Sequence, residues 1–508
     1  MNDGAFFFDF SENSSNVSPE IAFTGAAIKD GALILRRDPL GTRPIFYTTL
    51  GQRLIFASNI RALLKQKGVD ATLDKNGLAE LFALGPARPQ QSVFLKGIYS
   101  LPPGHVLRVE KGQKRIQPEP YWDFPARLHI DDEKETVSFI KKMLTEAILH
   151  RLPPCESNCS LLSGGVDSSV ITAIAAEHYR NAGKQLTTLS FEFLGSRGHS
   201  NTTDSDRPWV EKMVEFCKTN HEIIGCSAED LAYTLYAAVD ARGLPGMADI
   251  DSSLLFFCSK RPSGITTALT GECADEIFGG YPWFDMDNIA PNVFPWSRGF
   301  IIRKALLKDE FVDELQLEEV VAKHYKETIA LCPKGIHDSA SQTLIERQYL
   351  TLKWFMPVLM ERMNRMGEYS GLSAIVPFAD VALMEYVWNT PWSLKRKNGV
   401  VKYLLREAAR GIIPDEVLFR KKSPFPKTYA STYTSIVSDQ LREVLVDTTS
   451  PVRAFVDTQK AEQFIEAIQN EADMERPWFG QLMAASQMIA YILQINYWLR
   501  KYQIRLDF

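Results

Sequence analysis

No stretch of this chain approaches the ~20 consecutive apolar residues that a membrane-spanning helix needs. The N-terminus also lacks the charged, apolar and small-residue succession of a signal peptide. These two absences leave the membrane-spanning class unsupported and make the cytoplasm the expected compartment. Strong charge of either sign is missing too: 57 Lys and Arg stand against 62 Asp and Glu, a formal net charge of -5. A broad nucleic-acid footprint needs a basic surface, so nucleic acid is not an expected partner. Cysteine is sparse, with seven residues scattered from Cys155 to Cys332. An odd, widely spaced set in a long chain excludes a disulfide scaffold. Cys155 and Cys159 have half the spacing of a zinc site, but no second Cys/His pair answers them. Internal repeats and low-complexity tracts are also absent. What remains is the composition of an ordinary globular protein, 45% hydrophobic and 23% charged, with 508 residues to fill two or three domains.

The chemistry begins at Ser163-Gly164-Gly165-Val166-Asp167-Ser168-Ser169. The apolar run Cys159–Leu162 before it reads as a buried strand, and Val170–Tyr179 after it reads as a helix. A strand feeding a helix through two glycines and three serines is a site for an anion. The glycines admit a phosphate close to the backbone, hydroxyls and helix-start N–H groups bind its oxygens, and the helix dipole favours its charge. Asp167 is misplaced against a bare phosphate, so it predicts a Mg²⁺ bridging phosphates. There is no Gly-Lys-Ser/Thr ending of a Walker loop. The segment resembles instead the pyrophosphate loop of enzymes that cleave ATP between its α and β phosphates.

Around this loop the chain divides. Residues 1–125 are rich in short strand-like runs, Ala5–Phe10, Ala32–Arg36, Ile45–Thr48 and Leu54–Ala57, broken by Gly, Pro and Asn. Tyr121–Pro125 and the charged Asp131–Glu135 read as a linker, followed by a helix over Thr136–Arg151. Strands and helices then alternate: Leu186–Phe193, Arg207–Cys217, Glu222–Ile224, Ala228–Ala241, Ser252–Cys258 and Ile265–Leu269. That alternation predicts an α/β fold, a doubly wound parallel sheet over 136–508 with nucleotide at the carboxyl ends of its strands. Beyond Phe284 the pattern is helical, and Ala461–Tyr502 reads as helices packed into the core.

Two further segments add charge. Gly271-Glu272-Cys273-Ala274-Asp275-Glu276 follows the last strand, and three carboxylates in five residues are costly unless cations sit among them. Asp275 is placed to share a Mg²⁺ with Asp167, although acidic residues also suit any helix N-terminus. Lys402, in a helical stretch, and the run Arg420-Lys421-Lys422-Ser423-Pro424-Phe425-Pro426-Lys427 supply positive charge. Such runs are often solvated faces; here the prolines and Phe425 suggest an ordered loop.

Taken together, Arg37–Pro44, Phe56–Leu63, Phe94–Ile98, Leu101–His105, Ser163–Ser169, Leu244–Asp249, Gly271–Tyr281, Val376–Asp380 and Arg420–Lys427 resemble the glutamine-hydrolysing asparagine synthetase family. The resemblance covers about residues 32 to 430. It implies an N-terminal β-rich domain of the Ntn-type glutamine amidotransferase kind, followed by an ATP-pyrophosphatase synthetase domain. It implies that an aspartate carboxylate attacks the α-phosphate of ATP, and that ammonia then displaces AMP from the aspartyl-AMP. By motif position Ser163, Gly164, Gly165 and Ser168 surround the phosphates, and Asp167 and Asp275 hold Mg²⁺-pyrophosphate. Leu161, Phe191 and Gly271 line the adenosine pocket. Glu272 serves acyl transfer, and Lys422, assisted by Lys402, stabilises the developing charge. The related β-lactam synthetases carry a tyrosine at the position of Glu272, so the glutamate favours ammonia from outside the acyl substrate.

Two departures set further expectations. Family members begin Met-Cys-Gly and use that cysteine as glutaminase nucleophile, whereas this chain begins Met1-Asn2-Asp3-Gly4. Without the thiol, residues 1–125 are expected to be a truncated amidotransferase unit that hydrolyses no glutamine by itself. Ammonia then comes from solution or a partner, and the uncovered sheet predicts a glutaminase-half subunit or a homodimer. Second, Asn364, Ser373 and Ile375 stand where the family has Asp, Glu and Arg. This alters polarity near the expected acyl-acceptor side and keeps open a tailoring ligase that adenylates another carboxylate. A catalytically silent ATP-binding subunit is the remaining alternative.

Overall fold

The computed structural model describes residues 6–8, 24–51, 53–110, 116–194, 206–287, 289–297, 299–334, 341–421, 428, 430–469, 477–481 and 483–508. Short runs of alternating residues build the N-terminal unit as two four-stranded antiparallel sheets. One contains β1 (Phe6–Phe8), β4 (Phe46–Leu50), β5 (Arg53–Ala57) and β7 (Ile98–Ser100), in the order β1-β5-β4-β7. The other contains β2 (Gly25–Lys29), β3 (Ala32–Arg36), β8 (His105–Val109) and β9 (Glu119–Pro120), in the order β2-β3-β8-β9. Leu33 pairs with Val109 and Leu35 with Leu107, and these four meet Tyr47 and Leu54 of the other sheet in a core of their own. Alternation turns Phe46, Ile55 and Ala57 the opposite way, into the main core with α1 (Ile60–Leu64) and α2 (Lys75–Leu84). The Asn59 and Asp74 side chains cap these two helices. A short strand, β6 (Thr72–Asp74), pairs in parallel with β15 (Arg505–Asp507), which ties the end of the chain to its beginning.

The segment read as a linker is a packed junction. Phe124 is buried against Trp122 and Trp388, with ring centroids 4.9 and 5.4 Å away. Asp123 accepts hydrogen bonds from Tyr349 Oη and Lys353 Nζ, both at 2.9 Å, and Trp122 Nε1 donates to Glu385 at 2.8 Å. Nor is Asp131–Glu135 loose. Asp132 and Glu135 form a reciprocal capping box, and α3 (Glu133–Leu149) starts three residues earlier than the apolar periodicity predicts.

The second unit is built on a parallel sheet of β10 (Asn158–Leu161), β11 (Thr187–Phe193), β12 (Asn220–Cys226), β13 (Thr267–Leu269) and β14 (Ser373–Ile375). Its order is β12-β11-β10-β13-β14. The chain winds outward from β10 through α4 (Val166–Asn181) and α5 (Arg207–Cys217). It returns by α6 (Ala228–Arg242) and α7 (Asp249–Ser259) to lay β13 on the other side of β10. Strand order therefore reverses between β10 and β13, where an open α/β sheet places its ligand crevice. Helices dominate from Phe300 onward, and the Ala485–Lys501 helix is buried over most of its length. One of them, Met356–Ser370, follows a single π-helical turn at Thr351–Phe355 and joins the two units. Its Glu361 pairs with Arg88 at 3.0 Å, Asn364 donates to the Thr42 carbonyl, and Arg365 donates to the Ser58 carbonyl.

Removal of the capping box tests the junction. Asp132→Ala is expected to cost about 1 kcal/mol, seen as a lower urea midpoint with unchanged circular dichroism of the folded state.

Candidate active site

The crevice is lined by the two loops that leave β10 and β13. After β10 the chain turns through Gly164, whose φ of +68° is left-handed, with Trp209 so close that a Cβ there would meet its Cβ at 2.6 Å. Only glycine meets both demands. Inside the turn the Ser163 and Ser168 hydroxyls lie 3.1 Å apart, and the Ser163 and Gly165 N–H groups donate to Ser168 Oγ and Ser163 Oγ. The α4 helix begins at Val166, four residues earlier than the sequence pattern predicts, so Asp167, Ser168 and Ser169 are its first turn. Gly165 is the N-cap and has no side chain with which to close that end.

The second loop comes up against the first. A Cβ on Gly271 would lie 3.0 Å from Asp167 Cβ and 3.1 Å from the Ser168 nitrogen, so its absence sets how closely the loops approach. Asp275 stands in the short helix α8 (Ala274–Phe278). Between the loops sits Lys402, with 3% of its side chain accessible, its Nζ 2.5 Å from Asp167 Oδ2 and 2.7 Å from Asp275 Oδ1. Burial works against the ammonium, but the two carboxylates outweigh it and raise its pKa. Lys402 is not within a helix as its sequence context predicts. It is the N-cap of Tyr403–Ala409 in a left-handed conformation, φ +57°, which turns the side chain toward the carboxylates. Gly280 completes the cage, since a Cβ there would overlap Asp275 and Lys402.

The three carboxylates read as a like-charge cluster go three ways. Asp275 faces Lys402. Glu272 pairs with the buried Arg362 at 2.7 Å. Glu276 is buried beside Tyr281, whose hydroxyl donates to it at 2.6 Å, and burial, with Asp275 adding, pushes its pKa up to about 8. Burial thus favours the neutral form of one of the three. Arg362 was not singled out from the sequence; the available signal was a pair of charges between methionines, Met360-Glu361-Arg362-Met363.

Leu161 and Phe191 lie half-buried at the carboxyl ends of neighbouring strands, and Phe191 packs on Phe193 and Phe257 with centroids 5.0 and 5.6 Å away. Of the basic run, Arg420 reaches the site. It donates to the Ser163 carbonyl at 3.2 Å, pairs with Asp206 and lies 5.4 Å over the Trp209 ring. Arg406 holds the Arg420 carbonyl at 3.0 Å. Lys422 and its neighbours through Lys427 lie outside the described residues. Asn364 is not beside the carboxylates but in the junction with the N-terminal unit. Ser373 and Ile375 form β14, where the Ile375 carbonyl accepts from Thr270 N–H at 3.0 Å, just ahead of Gly271.

Among the described residues no group of three or more His, Cys, Asp and Glu could hold a metal. Asp167 and Asp275 nevertheless bring two oxygens to one cation position, which suits a hard ion whose other ligands are phosphate oxygens and water. Gly280→Ala would force a methyl into that cage, and overpacking of this kind costs about 1–3 kcal/mol. ATP affinity is expected to fall about tenfold or more by calorimetric titration, with the fold retained.

Residues 22–122 match the family described as glutamine amidotransferase domain, and residues 140–500 match asparagine synthase. The chain is 39% identical to asparagine synthetase [glutamine-hydrolyzing] 3 of Bacillus subtilis, over 94% of this chain and 78% of that one. It is 26% identical to asparagine synthetase [glutamine-hydrolyzing] 1 of the same organism, over 82% and 68%. It is also 25% identical to amidase chyE of Penicillium rubens, over 79% and 68%. With a family match across most of its length and a relative this similar, the chain belongs to the asparagine synthase family.

Proposed function

We propose that this chain joins ammonia to the side-chain carboxylate of aspartate at the expense of ATP, through an aspartyl-AMP, releasing AMP and pyrophosphate. The observation that carries the reading is the cation position shared by Asp167 and Asp275 from two loops at the sheet's switch point. In this reading Ser163, Gly164, Gly165 and Ser168 bind phosphate oxygens at the start of α4. Leu161, Phe191 and Gly271 border the adenosine. Asp167 and Asp275 would hold Mg²⁺ once the Lys402 ammonium that now lies between them gives way, and the ion would supply neutralisation of phosphate charge. Lys402 and Arg420 keep positive charge behind the phosphates as charge develops at phosphorus; Lys422, outside the described residues, is given the same role by the family resemblance alone. Glu272 takes a proton from the attacking nitrogen as the amide forms.

The nitrogen source in this reading is ammonia. All seven cysteines of the chain are buried, and burial pushes each thiol's pKa up. Burial and a raised pKa both disfavour the thiolate that attack on glutamine requires, which supports this reading. A second acyl substrate is favoured by two points: Ser373 and Ile375, which stand where the family resemblance implies charged residues, lie on the strand that abuts Gly271, and a relative named an amidase is among the matches.

Incubation of the 508-residue chain with ATP, Mg²⁺ and aspartate is expected to give asparagine and AMP with ammonium and no asparagine with glutamine. Formation of ADP in place of AMP would count against the reaction class, and activity with a different carboxylate alone would establish the second reading. Glu272→Gln separates the two steps. Aspartate-dependent exchange of pyrophosphate into ATP should stay near wild type, while amide formation should slow by about 100-fold or more.

A further inference from the structure

The Met356–Ser370 helix touches both the candidate acyl-transfer carboxylate and the N-terminal unit, through residues next to one another in the chain. We infer that Arg362 is a positioning residue for Glu272, and that docking of the N-terminal unit onto this helix sets where Arg362 stands. The inference rests on the role given to Glu272 above.

Arg362 has 4% of its side chain accessible and Glu272 has 18%, with Arg362 Nη2 and Glu272 Oε1 2.7 Å apart. Burial disfavours the guanidinium, yet Glu272, with Asp251 and Tyr281, more than restores it and raises its pKa. A guanidinium buried to this degree is held by its partner's geometry, and it holds the partner in turn. Glu272 therefore has one oxygen fixed by Arg362, while about a fifth of its side chain stays accessible. The next residue is fixed by the same helix. Cys273 is buried in a left-handed conformation, φ +74°, with its Sγ 3.2 Å from Met360 Sδ. A non-glycine residue persists in that conformation only where its surroundings over-determine it. The helix thus grips the Glu272–Cys273 turn at Met360 and Arg362.

Between and beyond those two residues the helix is anchored elsewhere. Glu361 pairs with Arg88 at 3.0 Å with both side chains buried, Asn364 holds the Thr42 carbonyl, and Arg365 holds the Ser58 carbonyl. Arg37 and Arg365 also lower the Glu361 pKa against its burial, behind Arg88 and Arg242, so this carboxylate ties charges from both units together. The π-helical turn at Thr351–Phe355 immediately precedes the helix, and its Lys353 is bonded to Asp123 of the junction. Such turns recur where a helix must place functional residues off its regular register. A rigid element carries a displacement at residues 361–365 straight to Arg362. Catalytic geometry tolerates only about 0.5 Å of that.

The test compares two half-reactions in the full chain: aspartate-dependent exchange of labelled pyrophosphate into ATP, and amide formation with ammonium. Arg362→Lys keeps the charge but not its reach. It is expected to leave exchange within about threefold of wild type and to slow amide formation by about 100-fold, the scale of an ångström's misplacement. Arg362→Met should slow amide formation further; if it fails to fold, Arg362→Lys carries the test alone. Arg88→Met, which lies in the other unit and does not touch Glu272, should shift the ratio of the two rates in the same direction with KM for ATP unchanged. Equal losses in both half-reactions, or wild-type amide formation in Arg362→Lys, would make Arg362 a structural residue only and overturn the inference. An unaltered ratio in Arg88→Met would overturn the coupling. A wild-type chain that exchanges pyrophosphate with no carboxylate at all would overturn the reading of the site, and the wild-type arm alone reveals that outcome.

Discussion

A single cation position, filled by the Lys402 ammonium between Asp167 and Asp275, is the constraint on which the site depends. Two half-buried carboxylates held that close repel by on the order of 3 kcal/mol at an effective dielectric of ~20. A positive charge between them turns the repulsion into the force that draws two loops together. The neighbouring sequence follows from that closeness. Gly271 has no Cβ because Asp167 stands there, Gly280 has none because Asp275 and Lys402 do, and Lys402 takes a left-handed backbone to reach between them. The reversal of strand order between β10 and β13 brings the two loops to one crevice in the first place.

The other two acidic residues of the same loop are settled by partners of their own. Glu272 is drawn to Arg362, and burial raises the pKa of Glu276, which accepts from Tyr281. Each residue thereby acquires a distinct character from its environment, although all three come from one stretch of five residues. The Met356–Ser370 helix links this separation to the rest of the molecule, since Arg362 leaves it toward the site and Glu361 leaves it toward Arg88.

Much of this was legible in the sequence. The apolar run Ala32–Leu35 and the apolar spacing of Arg207–Cys217 located a strand and a helix at their observed bounds, and the two glycines after β10 marked the turn into α4. The helix start at Val166 was placed too late because two glycines mask a helix whose first turn is polar by function. Tyr121–Pro125 and Asp131–Glu135 looked like linker by composition. Their order comes from long-range partners, Tyr349, Lys353 and Glu385, and from a capping box that charge content conceals. Arg362 and the N-cap position of Lys402 were not legible, because each is defined by a partner distant in the chain: Glu272 is 90 residues from the first, and Asp167 235 residues from the second.

The most direct test of the account follows an oxygen atom. If the two loops activate a carboxylate on the α-phosphate, then aspartate labelled with ¹⁸O in its side-chain carboxylate must pass one labelled oxygen to AMP. Mass spectrometry of AMP from a single turnover with ammonium should show that transfer. Amide product formed with unlabelled AMP would contradict the adenylate and, with it, the role assigned to the crevice between β10 and β13.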